Sequence, residues 1–141
     1  MTPEEKQLLL KDLCARLPYR VMIKDTYSGH YGRLVGIGNT FAYFISELNS
    51  NTLDVQLYYT KPYLRPMSSM TEGEKDELYT AMDWYGEIDE TGNVYTKGQE
   101  KVYRETFYEY TDWLNAHHFD HRGLIPMGLA LEAPEGMYKT E

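Results

Sequence analysis

Val21-Met22-Ile23, Leu34-Val35-Gly36-Ile37, Phe41-Ala42-Tyr43-Phe44-Ile45 and Val55-Gln56-Leu57-Tyr58 are short runs of β-branched and aromatic residues that decide the fold class. Residues that favour turns stand between them. Ser28-Gly29-His30 and Asn49-Ser50-Asn51 make natural loop tips, and Gly38-Asn39 is short enough to join the second and third runs as a tight hairpin. About four antiparallel strands follow from this spacing, in a small sheet or partly open barrel. Gly36, inside a run, offers a bulge or bend that helps so small a sheet to curl.

Before these runs, Thr2-Pro3-Glu4-Glu5 supplies a capping hydroxyl, a proline at the first helical position and a glutamate three residues after the cap. A helix starts there. Leu10, Leu13, Cys14 and Leu17 mark its apolar face, and Pro18 ends it. Beyond the sheet, Lys61-Pro62-Tyr63-Leu64-Arg65-Pro66 reads as a proline-flanked joint that interrupts regular structure. Thr71-Glu72-Gly73-Glu74 is a second capping box, followed by Leu78, Ala81, Met82 and Tyr85 at helical spacing. Glu87 to Tyr95 suits a small hairpin or irregular loop. Residues 100–117 return to helix with Val102, Phe107, Tyr110 and Leu114 on one stripe, and the residues after 128 are extended or helical. The whole predicts one α+β domain over residues 1–141: a helix, an antiparallel sheet, then acidic C-terminal helices.

The chain has 141 residues and a formal charge of -8, unevenly divided. Residues 1–66 hold eight Lys/Arg against six Asp/Glu, a mildly basic part, whereas residues 67–141 carry a net charge of -10. Broad nucleic-acid binding is therefore not expected, least of all through the second part, because duplex affinity rests on neutralising phosphates. The longest apolar runs, such as Leu8 to Leu10, fall far short of a membrane span, and the acidic start lacks the character of a secretory leader, so a cytoplasmic setting is expected. Cys14 is the single cysteine; neither an intrachain disulfide nor a cysteine-based zinc site can form, and the spacing puts it on the buried helix face.

His117-His118-Phe119-Asp120-His121 is the densest ligand-like cluster. His117 and His121 are four apart, and Asp120 could add an oxygen, making these three the candidate metal ligands. The cluster falls where the helix must stop and lacks the intervening glutamate of a zinc-protease motif, so we expect structural roles at a helix C-terminus and no metal or cofactor. Tyrosine is the more unusual signal. Tyr31, Tyr43, Tyr58 and Tyr63 lie in the mildly basic part with Arg33 and Lys61, and rings beside cations can hold a nucleotide-like planar anion. No nucleophile elbow, P-loop or calcium loop occurs, so an enzyme is not the expected reading.

Lys61 to Glu72, Asp112 to Asp120 and Arg122-Gly123-Leu124-Ile125 resemble segments of a family of small proteins encoded by gut bacteria and their phages. Met1 to Leu17 and Gly128 to Tyr138 are similar too. The resemblance implies a phage or mobile-element accessory setting and transfers no catalytic residue. Its members often have tyrosine at the position of His121, which argues further against a metal there. We therefore expect a non-catalytic accessory protein that binds, and so inhibits or modulates, a host defence protein with a basic surface. Its acidic face would be Glu105, Glu109 and Asp112, and homo-oligomers are compatible with it. The alternative is sequestration of a nucleotide-like ligand at the tyrosine-rich sheet; a metal-dependent hydrolase ranks below both.

Overall fold

The computed structural model describes the backbone of residues 1–82, 86–88, 94–96 and 104–138 and the side chains of residues 1–78, 80 and 110–138. In chain order the elements are α1 (Pro3–Arg16), β1 (Met22–Asp25), β2 (Tyr31–Ile37), β3 (Phe41–Ser46), β4 (Thr52–Gln56), β5 (Thr60–Leu64), α2 (Glu72–Met82), β6 (Gly86–Ile88), β7 (Val94–Thr96), α3 (Arg104–Ala116) and β8 (Leu131–Glu132). The protein is an α+β fold whose main sheet has the strand order β4-β3-β2-β1-β5-β8 and stays open. All its pairings are antiparallel except the short parallel contact of β5 with β8.

The capping box of α1 is formed: Thr2 Oγ1 accepts from Glu5 N at 3.1 Å, and Thr2 N donates to Glu5 Oε1 at 2.8 Å. Such a cap contributes about 1 kcal/mol. The buried face differs from the sequence expectation, because it consists of Leu9, Asp12, Leu13 and Arg16, while Cys14 is exposed. Hydropathy alone misplaced the face by one position, since it ranks Asp12 and Arg16 as surface residues. Leu9 and Leu13 pack with Val21, Ile23, Leu34, Phe44 and Val55 on one side of the sheet, joined by Leu124, Leu129 and Ala130.

The meander β1 to β4 matches the four expected strands in order, with shifted edges. Residues 57–59 form a 3-10 turn where a strand was expected, and β4 begins earlier, at Thr52. The register between β2 and β3 shifts between Leu34 and Gly36, so the bulge sits beside the glycine that suggested it. Gly32 has a different task. A Cβ there would run into the Ile45 carbonyl, so only glycine lets β3 approach.

The proline-flanked joint, expected to interrupt regular structure, is instead β5, with Pro62 opposite Ile23. Ala133 N donates to Leu64 O, so even-numbered residues of β5 turn toward β8, and β8 begins only opposite Tyr63. Pro62 thus stands where no neighbour needs its missing N–H. One rung further on, the Tyr138 hydroxyl accepts from Met22 N at 2.7 Å and donates to Tyr63 O at 2.8 Å, bridging β1 and β5.

Thr71 and Glu74 form the second capping box at α2, and Glu74 also receives both Arg65 guanidinium nitrogens at 2.7 Å. Met70, Leu78, Tyr110, Leu114 and Phe119 make a smaller apolar cluster. The hairpin expected over residues 87–95 has its strands in β6 and β7, its tip lying outside the described residues. The expected helix start at residue 100 and its Val102 also lie outside them, as do the side chains of Ala81, Met82, Tyr85 and Phe107.

Asp12 and Arg16 are both fully buried, joined at 2.8 Å, and Arg122 adds a second cation at 2.8 Å from Asp12. Arg16 Nη2 donates to Phe119 O at 2.6 Å, which ties α1 to the chain leaving α3. Removing one partner of a buried pair strands the other charge, at about 3–5 kcal/mol. Asp12→Ala is therefore expected to cost that much, and Asp12→Ala with Arg16→Met less than the two single changes together, as read from urea unfolding in a double-mutant cycle. Additive effects would contradict the pairing.

Candidate ligand surface on the open sheet

Alternation along the strands sends successive side chains to opposite faces. The face away from α1 carries Met22 and Lys24 of β1, Tyr31, Arg33 and Val35 of β2, Phe41, Tyr43 and Ile45 of β3, and Lys61 and Tyr63 of β5. Tyr31, Val35 and Tyr43 are each 42% exposed, too open for a covered face. Tyr31, Arg33, Tyr43, Lys61 and Tyr63 thus share one surface, which brings together five of the six residues singled out from the sequence. The rings of Tyr31 and Tyr63 meet edge to face at 6.4 Å. The Tyr43 ring leans over Gly36, where an added Cβ would lie 3.5 Å from it.

Charge on this face is one-sided. Lys24 is the register partner of both Tyr31 and Lys61, so two lysines stand directly opposite on neighbouring strands. Like charges so placed are destabilising by roughly 0.2–1 kcal/mol. Lys24, Lys61 and Arg33 form no ion pair among the described residues, and Asp54, opposite Tyr43, is the only acid that β1 to β5 turn to this face. Sequence reasoning had left out Lys24; pairing the first two strands in register would have placed it opposite Tyr31, while its place beside Lys61 depends on β5.

Tyr58 lies apart from the five. It borders, with Tyr27, Tyr59, Lys61 and Met127, a cleft of about 530 Å³ beside the start of α1. Tyr59 packs between Tyr27 and Tyr58, with ring centroids 5.2 and 5.1 Å away. Of the acidic trio, Asp112 is exposed, whereas the side chains of Glu105 and Glu109 lie outside the described residues.

The histidine cluster is distributed among separate partners. His117 stacks on Trp113 at 3.8 Å and its Nδ1 lies 2.9 Å from the Trp113 carbonyl. Both Asp120 oxygens accept backbone N–H groups, from Leu124 at 2.8 Å and Ile125 at 2.9 Å. His121 Nε2 sits 2.8 Å from Asn115 Oδ1 and 3.2 Å from Arg122 Nη1. Among the described residues no three potential ligands converge for a metal. The cluster closes α3: Phe119 N donates to Leu114 O and His118 N to Asn115 O, with His118 at φ +67°. His118 also stacks on Tyr138 at 3.7 Å.

Burial, reinforced by neighbouring arginines, holds both inner histidines neutral. His118 is pushed down to about 4, by burial first and then by Arg16, His117 and Arg65. His121 is pushed down to about 3, by burial and then by Arg122 and Arg16. Arg16 Nη1 and His118 Nδ1 have no hydrogen-bond partner among the described residues. Because these histidines are depressed in the folded state, stability is full above their unfolded value near 6.5 and is lost as pH falls, when the unfolded chain takes protons that the fold refuses. Each contributes at most about 1.4 kcal/mol per pH unit. The Glu74 carboxyl, held below its ordinary value chiefly by Arg65, adds a further loss at lower pH. Urea midpoints are expected to fall steadily from pH 6.5 to pH 4.5, less steeply in His121→Gln; a flat midpoint over that range contradicts this account.

Comparison with models of protein families, with curated proteins and with solved structures found no match to this chain.

Proposed function

We propose that this chain is a non-catalytic binding protein that takes a nucleotide-like ligand, a planar ring carrying phosphate, on the open face of its sheet. The observation that carries this reading is the Lys24–Lys61 pair, two cations held opposite each other beside Tyr31 and without an acidic partner among the described residues. A phosphate between the lysines relieves their repulsion and gains charge-assisted hydrogen bonds. The ring then stacks on Tyr31 or Tyr63, at about 1–3 kcal/mol per base. Two such contributions, about 2–6 kcal/mol together, correspond to dissociation constants from roughly 30 mM down to roughly 40 μM.

A second reading is supported by a different surface. Glu72, Asp76, Glu77 and Asp112 are exposed on α2 and α3, which suits an accessory protein of a mobile element that steers toward a basic host protein. In that reading, lysine at Glu105, Glu109 and Asp112 slows capture of the partner, most at low salt, and leaves a nucleotide-induced thermal shift in place.

The sheet reading separates binding from stability. Lys61→Glu turns a repulsive cross-strand pair into an attractive one, so its urea midpoint is expected to stay level or rise. Affinity for adenosine and thymidine monophosphates, measured by calorimetry, is expected to fall at least tenfold in the same variant. Equal affinity in wild type and variant removes the lysine pair from the site and this proposal with it.

A further inference from the structure

The open face holds aromatic rings at two separate stations with a cation between them. Tyr31 and Tyr63 form the first, next to Lys24 and Lys61. Tyr43, lying over Gly36, forms the second, and Arg33 stands between them on β2. At about 3.4 Å per residue, with one residue absorbed by the bulge, the stations are roughly 14 Å apart along the strand direction. One ring with its phosphate covers one station. A chain that alternates rings and phosphates covers both and sets a phosphate over Arg33.

From this alternation we infer that the ligand is a short single-stranded nucleic acid spanning Tyr31 and Tyr63, Arg33 and Tyr43. The inference rests on the proposed nucleotide-binding reading of this face and extends it from a monomer to a polymer. Duplexes are disfavoured on two grounds. Their bases are stacked on one another and cannot lie flat on tyrosines, and three cations neutralise too few phosphates to hold a duplex on an acidic protein. Asp54, opposite Tyr43, is the acid that β4 turns to the face, so it repels phosphate there while accepting a base N–H, which sets the second station for a base.

The test is fluorescence anisotropy with labelled ten-nucleotide oligothymidylate and oligoadenylate, in competition with the mononucleotides and with a duplex of equal length, over a salt series. Oligonucleotides are expected to bind at least tenfold more tightly than the monomers and the duplex. The logarithm of affinity should fall with the logarithm of salt at a slope of about -1.4, as two single-strand phosphate contacts, one between the lysines and one over Arg33, require. Tyr43→Ala is expected to weaken oligonucleotide binding at least fivefold and Tyr43→Phe to restore it, with thermal melting confirming that both variants fold. If mononucleotides bind as tightly as oligonucleotides, or Tyr43→Ala leaves oligonucleotide affinity unchanged, the polymer inference fails and the nucleotide reading survives. If neither monomer nor oligomer binds, both fail. Tighter binding of the duplex overturns the inference alone.

Discussion

Arg16 lies wholly out of solvent at the last turn of α1, and the rest of the structure is arranged around keeping its charge satisfied. Asp12, one helical turn earlier, supplies the counter-charge, and the Phe119 carbonyl supplies a second acceptor. Arg122 approaches the other Asp12 oxygen. These contacts bind the first helix to the segment that leaves the third. Phe119 in turn carries Arg65 over its ring at 4.1 Å and packs in the smaller apolar cluster. The first helix and the segment leaving the third are therefore joined at one buried guanidinium, and Phe119 links that joint to Arg65 at the end of β5. Such a group is expensive to desolvate, so its contribution is better described as fixing which segments meet than as adding net stability.

Local chemistry made much of this legible in advance. Both capping boxes, the loop tips, the four-strand meander and the bulge near Gly36 follow from residues close together in sequence, where propensity and hydrogen-bond geometry act directly. Alternation within β2 was enough to set Tyr31 and Arg33 on one face, whereas Lys61 and Tyr63 join it only through β5, which the sequence did not reveal as a strand. What escaped were features decided by distant partners. Asp12 and Arg16 look like surface residues until Arg122 and Phe119 arrive from over a hundred positions away. Pro62 looks like a breaker until one knows that β8 leaves its side of the strand empty. Lys24 looks unremarkable until register sets it against Lys61.

Two sites in the protein handle charge in opposite ways. Around Asp12, cations and carboxylates are interleaved and dry, and the burial that dries them also holds the nearby histidines neutral. On the outer face of the sheet, half-buried like charges are gathered without an ion pair among the described residues. The first arrangement is buried and little screened; the second is exposed to salt and to any anion that arrives. A protein that pairs its charges at one site and leaves them unpaired at another concentrates its residual electrostatic free energy at the unpaired one.

Tyr138 completes a rung between β1 and β5 from 116 residues beyond Met22. Strands β1 to β4 can zip as successive hairpins, each closing a short loop on a microsecond scale. The seam between β1 and β5 has no such local route to its last bridge, because the phenol must return across nearly the whole length of the chain. Loop-closure entropy thus orders assembly in time: the meander first, the seam last. On a ribosome, the strands that carry the open face would be paired well before the tyrosine that locks their neighbour has been made.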